Sequence, residues 1–259
     1  MSLMAFDLTS IQRGGSQRAP IITIHGTPGR GKTTFGASAP SPIFIRTEDG
    51  LGQLDVPTFP LCETFDQVME AVAALYGEHD FQTVNIDSLS ALEPLIWAKV
   101  AEDHGKTSIE DIGFAKGYIY ALDYWRELMT ALRGLASRGM TVILIAHTDV
   151  VTFQSPETDP YDRYQIKLHK KAFAYLYEQA DVIGFAHLPV FVRKQEADDK
   201  KGRGVAKGET SMLLLQERPF AVAKNRYSMP ESVPLIWDEF AKHLPGASAS
   251  GSTNATQGE

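Results

Sequence analysis

The stretch HGTPGRGKTTF, residues His25 to Phe35, decides how this chain is read. Gly26, Thr27, Pro28, Gly29, Arg30, Gly31, Lys32 and Thr33 fit the pattern G-x-x-x-x-G-K-[ST] in full, and Thr34 follows directly. Glycines at those places let the backbone turn tightly and bring its N–H groups against phosphate oxygens. The apolar run IITIH (21–25) stands before the motif and a helical pattern, 31–38, after it. That order points the helix N-terminus at the same anion. Lys32 is placed for the β and γ phosphates of a nucleoside triphosphate, and the Thr33 hydroxyl for Mg²⁺. Gly26 to Thr34 is therefore the expected nucleotide-binding set. The motif does not say whether the phosphate is moved to a substrate, used as a timer or spent on mechanical work.

Working outward, the 259 residues are 43% apolar and 22% charged, ordinary for a globular protein. The single cysteine, Cys62, excludes an internal disulfide framework and fits a reducing compartment such as a cytoplasm. No run of about 18 apolar residues is present, so no membrane span is expected. The net charge of −7 excludes a generally basic nucleic-acid coat and leaves only local basic clusters for such a role. Residues 1–19 read as a loose polar arm and 245–259 as a disordered tail of small polar residues. One domain is expected over 20–244.

Within that span short β-rich runs alternate with helical patterns. PIFIR (42–46), TVNID (83–87) and TVILIAH (141–147) join IITIH as runs of the kind buried in a parallel sheet. Helical patterns fall at 64–77, 89–103 and 118–138, the last carrying Trp125, Leu128, Met129 and Leu132 at core spacing. Gly139 ends it as a C-cap would. After 180 the texture changes to closely spaced strands, at least one hairpin, a Gly/Lys/Asp-rich turn at 195–209 and a closing helix near 235–244. The fold class is thus α/β: a mostly parallel central sheet, helices on both faces, and antiparallel strands added at the C-terminal end.

Asp87 ends TVNID, where a strand tip places it beside the cradle to hold Mg²⁺ with Thr33. It can also serve as an ordinary helix N-cap. Many P-loop motors carry a glutamate right after this aspartate to activate water. Here Ser88 follows, so the base must come from elsewhere or hydrolysis is poor. IFIRTEDG supplies a candidate in Glu48, since parallel strands end at one edge. The bland reading of Glu48-Asp49-Gly50 is a surface turn.

The phosphate motif, an acid after the second strand, IDSLSAL, a polar residue ending the fourth strand and FAVAKNRYSMP (220–230) together resemble the RecA-like P-loop NTPases. The match is closest to the small phage-encoded RecA-like ATPases of single-strand annealing and recombination, and runs from 21 to about 240 of this chain. That resemblance implies ATP and Mg²⁺ as cofactors and hydrolysis of ATP, with Lys32 and Glu48 catalytic and Glu48 the general base. It implies that His147 senses the γ-phosphate, although the family's best-known member has glutamine there. Lys224 and Arg226 would act in trans as fingers on a neighbour's γ-phosphate, within a ring or filament that shares its active sites. A bacterial host cytoplasm follows from the same likeness. The plain alternatives are a backbone-satisfied buried histidine at 147 and a solvated strand end at 224–226.

By position in that family, loops at 102–118 and 148–172 would line single-stranded DNA. The second carries Arg163, Lys167, Lys170 and Lys171 interleaved with Phe153, Tyr161 and Tyr164, the pairing of cations and aromatics that single-strand binding uses. Glu157, Asp159 and Asp162 dilute it. Lys200, Lys201, Arg203 and Lys207 form a further basic cluster. Two other readings stay open: a regulatory module whose nucleotide switches oligomer state without DNA, and a small-molecule kinase, for which no arginine-rich lid is found. A GTPase would need N-K-x-D, and AKNR (223–226) is not that motif.

Overall fold

The computed structural model describes residues 18–193, 203–206 and 210–245. The expected arm and tail fall almost entirely outside these residues, as do Lys200, Lys201 and Lys207 of the basic cluster. In chain order the elements are β1 (Ile21–Gly26), α1 (Lys32–Ala37), β2 (Pro42–Arg46), α2 (Phe65–Ala74), β3 (Thr83–Asp87), α3 (Leu89–Asp103), α4 (Gly117–Ser137) and β4 (Thr141–Ala146). Then come β5 (Thr148–Phe153), β6 (Tyr161–Ile166), α5 (Lys170–Gln179), β7 (Val182–His187), β8 (Val190–Arg193) and β9 (Arg203–Ala206). The chain closes with β10 (Met212–Leu214), β11 (Lys224–Asn225), β12 (Ser232–Pro234) and α6 (Trp237–Ala241).

The main sheet runs β12-β10-β7-β1-β4-β3-β2, with β11 also pairing to β7. β1, β2, β3, β4 and β7 are mutually parallel along this order, while β10, β11 and β12 are antiparallel additions. The inner strands are buried on both faces, which is why they read as continuous apolar runs rather than alternating ones. On one face α2, α3, α4 and α5 bury Val68, Leu92, Ile96, Leu128, Leu132 and Leu176 against Ile45, Val84, Val142 and Ile183. On the other, α1 and α6 lay Phe35, Trp237 and Phe240 over Ile22, Ile24 and Ile143. Phe35 meets Trp237 and Phe240 edge-on at centroid distances of 5.5 Å each, a geometry that adds to plain area burial.

Local chemistry sets the boundaries. Thr64 caps α2 by accepting the Gln67 N–H, and Ser88 caps α3 by accepting the Ala91 N–H. Gly139, with φ of 94°, carries the chain out of α4 in the left-handed region that glycine enters without strain. Two expectations change. The stretch from 148, expected as a mobile loop, is an antiparallel hairpin, β5–β6, that leads into α5. Its alternating Val and aromatic residues favour pairing, and the Arg163 guanidinium lies 4.1 Å from the Phe153 ring centroid across the ladder. The 102–118 segment is ordered by two short 3-10 turns anchored on buried Ile109 and Ile112.

Candidate functional site

Parallel pairing aligns the strand ends. Gly26 faces Ala186, His25 faces Ala146, Asp87 faces Ile145 and Arg46 faces Asp87. The residues that follow each strand therefore gather at one edge, and the candidate site residues lie there. Gly26 is demanded by packing: a Cβ there would come within 2.4 Å of the Ala186 carbonyl oxygen. Gly29 and Gly31 have φ of 74° and 91°, which turns the loop back into α1. The cradle residues Thr27, Pro28, Gly29, Arg30 and Gly31 are partly or fully exposed, as a site entered from solvent requires, and Thr34 lies one residue further along the first turn of α1. Arg30 steadies the loop through its Nε, which donates to Thr27 Oγ1 at 3.2 Å.

Lys32 is buried and its Nζ donates back to the Gly26 and Thr27 carbonyls, at 2.9 and 3.2 Å. Burial lowers its pKa, with Asp87 and Glu48 pulling the other way. A bound phosphate would supply the compensating charge that this ammonium lacks inside the loop. Thr33 Oγ1 donates to Asp87 Oδ2 at 2.8 Å. Burial raises the Asp87 pKa, and the Thr33 hydroxyl partly offsets that. The paired oxygens of Thr33 and Asp87 are hard donors that suit Mg²⁺. Among the described residues no group of three or more His, Cys, Asp or Glu could hold a metal ion. A cation at Thr33 and Asp87 would take its remaining oxygens from nucleotide and water, as Mg²⁺ in phosphate sites does.

Glu48 and His147 meet directly. His147 Nε2 lies 2.9 and 3.1 Å from the two Glu48 carboxylate oxygens. A carboxylate can only accept, so Nε2 carries the proton. That bond lowers the Glu48 pKa, and partial burial opposes it without cancelling it. Glu48 is held ionised, poised at the same edge as Lys32 and Asp87. The serine that stands where a motor's glutamate is expected caps α3 with its hydroxyl and bonds Thr47, the neighbour of Glu48, through its backbone.

Sequence reasoning missed several supports. Thr47 Oγ1 donates to the Ser88 carbonyl at 2.7 Å and accepts the Ser88 N–H at 2.9 Å, locking β2's tip to β3's. His25, wholly buried before the motif, has Nε2 against the Val222 carbonyl and Nδ1 against Thr148 Oγ1, each at 2.8 Å. Burial drives its pKa down to about 4, so the ring is neutral and only joins elements. Ser90, in IDSLSAL, bonds the main chain at His147 and Lys167. None of the three belongs to a local motif; only the polar residue inside an apolar strand, His25, leaves a trace in the sequence.

Lys224 and Arg226 lie elsewhere. Lys224 pairs with Ile183 and the Arg226 N–H with the Asp181 carbonyl, at the far end of β7 from Gly26. At about 3.3 Å per residue this is roughly 10–15 Å from the cradle along the strand. Lys224 Nζ donates to the Tyr177 carbonyl, and Arg226 donates to Glu178 O at 2.6 Å and to Asp181 Oδ1 at 3.2 Å. Neither reaches the phosphate loop of its own chain. Of the basic residues on the hairpin, Arg163 is committed to Glu217 at 3.0 Å, its side chain 14% exposed. Lys167, Lys170 and Lys171 are exposed.

No helix among the described residues is long and apolar enough to cross a membrane. No curated protein matches the chain. A complete phosphate loop, an aspartate bonded to its threonine and a parallel sheet that gathers them at one edge define a P-loop nucleotide-binding domain, and the family described as AAA domain matches residues 18–227, so the protein belongs to that family.

Proposed function

We propose that the protein hydrolyses ATP with Mg²⁺ in the manner of the RecA-like ATPases, with Glu48 orienting the attacking water. The observation that carries this reading is the Glu48–His147 pair, 2.9 Å apart at the edge that also holds Lys32 and Asp87. A held, ionised carboxylate with room for solvent is what a water-activating base needs. Thr33 and Asp87 would hold Mg²⁺, which neutralises charge on the transferring phosphoryl group. Lys32, whose Nζ now bonds the Gly26 and Thr27 carbonyls, would add its positive charge within the loop. His147 bonds Glu48 in this structure. A γ-phosphate oxygen near Nε2 would compete for the same proton, so nucleotide state would be read as a change in that one hydrogen bond.

The work done with the nucleotide is, in this proposal, on single-stranded DNA, in phage recombination or annealing. Lys170 and Lys171 occupy the first turn of α5, where the helix dipole disfavours cations and no acid offsets them. A local rule broken at an exposed place suits a surface that meets an external anion. Lys224 and Arg226, turned away from their own cradle, suit action on a neighbouring copy if their present bonds to the α5 carbonyls exchange for phosphate. Oligomer switching without DNA remains the second reading, favoured by the exposed acids Glu157, Asp159 and Asp162 on the hairpin, which oppose a nucleic-acid phosphate.

The deciding assay is ATP turnover with and without single-stranded DNA, run across protein concentration. Expected outcomes are stimulation by DNA and a rate rising faster than linearly with protein. Glu48→Gln should lower kcat by at least about 10²-fold, the usual size of a positioned base, while nucleotide binding is retained. Full turnover by that variant would refute the role given to Glu48.

A further inference from the structure

Ser90 stands on the first turn of α3 but does nothing for the helix itself. The N-cap work is done by Ser88. The Ser90 hydroxyl points instead at the roots of the β5–β6 hairpin. It accepts the His147 N–H at 3.0 Å and donates to the Lys167 carbonyl at 3.0 Å. The Lys167 N–H closes the ring on the His147 carbonyl, also at 3.0 Å. One side chain thus ties together the residue before the hairpin, the residue after it, and the helix that begins beside Asp87. The next helical turn repeats the attachment, since the Glu93 carboxylate accepts the His169 N–H at 2.9 and 3.0 Å.

We propose that Ser90 is a positioning residue for hydrolysis: by fixing the backbone of His147 it fixes the imidazole that holds Glu48, and through Lys167 it makes that geometry depend on how the hairpin is seated. The inference rests on the role proposed for Glu48. The chemistry is specific to a hydroxyl, because the position must accept from one backbone group and donate to another at once. Alanine leaves both groups without this partner. Threonine keeps the oxygen and its proton. The imidazole is one residue's length from the anchored N–H, so a loosened backbone moves the ring away from the carboxylate. Displacements of that kind, far smaller than a strand spacing, cost catalytic rate steeply.

The test compares wild type, Ser90→Ala, Ser90→Thr and Glu48→Gln in steady-state ATP hydrolysis and in binding of a fluorescent ATP analogue. The expected result for Ser90→Ala is a kcat lowered about tenfold, the size of one lost hydrogen bond, with KM and analogue affinity within about twofold. Ser90→Thr should recover most of the rate. A Ser90→Ala kcat within about twofold of wild type, beside an inactive Glu48→Gln, would overturn the positioning role and leave the base assignment standing. So would an effect confined to KM, or a threonine variant as slow as alanine. Wild-type turnover by Glu48→Gln would instead sink the underlying reading. Hydrogen exchange then decides on Ser90 independently of turnover: the His147 amide should exchange faster in Ser90→Ala, and unchanged exchange there refutes the anchor.

Discussion

Replacing Glu93 with glutamine removes a charge from one of the few carboxylates that the fold buries, while keeping an oxygen to accept the His169 N–H. Glu93 is 5% exposed and packs under the start of α5. Burial pushes its pKa up to about 7 from an ordinary value of 4.5, and the His169 N–H only partly opposes that shift. An acid whose pKa is higher folded than unfolded takes up a proton on folding. Its contribution to stability is therefore complete below about pH 4.5 and is lost as pH rises through about 7. At about 1.4 kcal/mol per unit, the 2.5-unit rise from 4.5 to about 7 amounts to a change on the order of 3 kcal/mol across that window. Urea unfolding of both proteins from about pH 5 to pH 8 measures it, because groups common to both cancel in the difference. Stability of the wild type relative to Glu93→Gln should fall steadily to near neutrality and then level off. Parallel curves for the two proteins, or a difference of opposite slope, would refute the buried ionisable clamp. The result matters for function because this carboxylate seats the segment between the hairpin and α5.

Two more outcomes are expected. Asp181 is 4% exposed at its side chain and accepts from Arg18, Arg226 and the Ile21 N–H, so Asp181→Ala should cost about 1–3 kcal/mol in urea unfolding, because the Ile21 N–H loses its partner while the arginines, 19% and 47% exposed, reach water; a loss under about 0.5 kcal/mol would refute its role as an anchor. Replacing Lys170 and Lys171 together by alanine should flatten the plot of log affinity for single-stranded DNA against log salt by about 1.4, at roughly 0.7 per lost phosphate contact, and an unchanged slope moves the DNA surface away from α5.

The cradle was legible because it is local: glycines, lysine and threonine carry their meaning within eight neighbouring positions. The parallel strands were legible for the same reason, as apolar runs of the right length. What the sequence could not show is which strands touch. β4 lies between β1 and β3, and only that order brings His147 within reach of Glu48 while Asp87 stays beside Thr33. The hairpin at 148–166 was read as a loop because its acids masked the alternation of Val150, Phe153, Tyr161 and Tyr164. Asp181 was invisible, since a single aspartate before a strand has no pattern, yet it pins the start of β1 and both flanking arginines. FAVAKNR read as a strand end with basic tips, and only the register with β7 shows that those tips leave at the opposite edge from the cradle.

That same strand order bears on why the proposed base is a glutamate after β2 and not a residue beside Asp87. β2 is the edge strand, three places from β1, or roughly 14 Å at the usual spacing. A residue at its tip must lean inward over β3 to approach the phosphate, and it needs something to lean on. His147, at the end of β4, reaches across β3 from the other side, so the two side chains together bridge two strand spacings, about 10 Å. Asp49, shorter and with its side chain 88% exposed, pairs instead with Arg46. Ser88, wholly buried at the tip of β3, is small, and its hydroxyl caps α3 by accepting the Ala91 N–H. A glutamate at 88 would put a second carboxylate at a wholly buried position next to the buried Asp87, and the repulsion between them would push one toward its neutral form. A serine after Asp87 thus fits a base built from the sheet's edge, and under the proposed function the Glu48–His147 bridge would make His147, and through it the hairpin, part of the hydrolytic site.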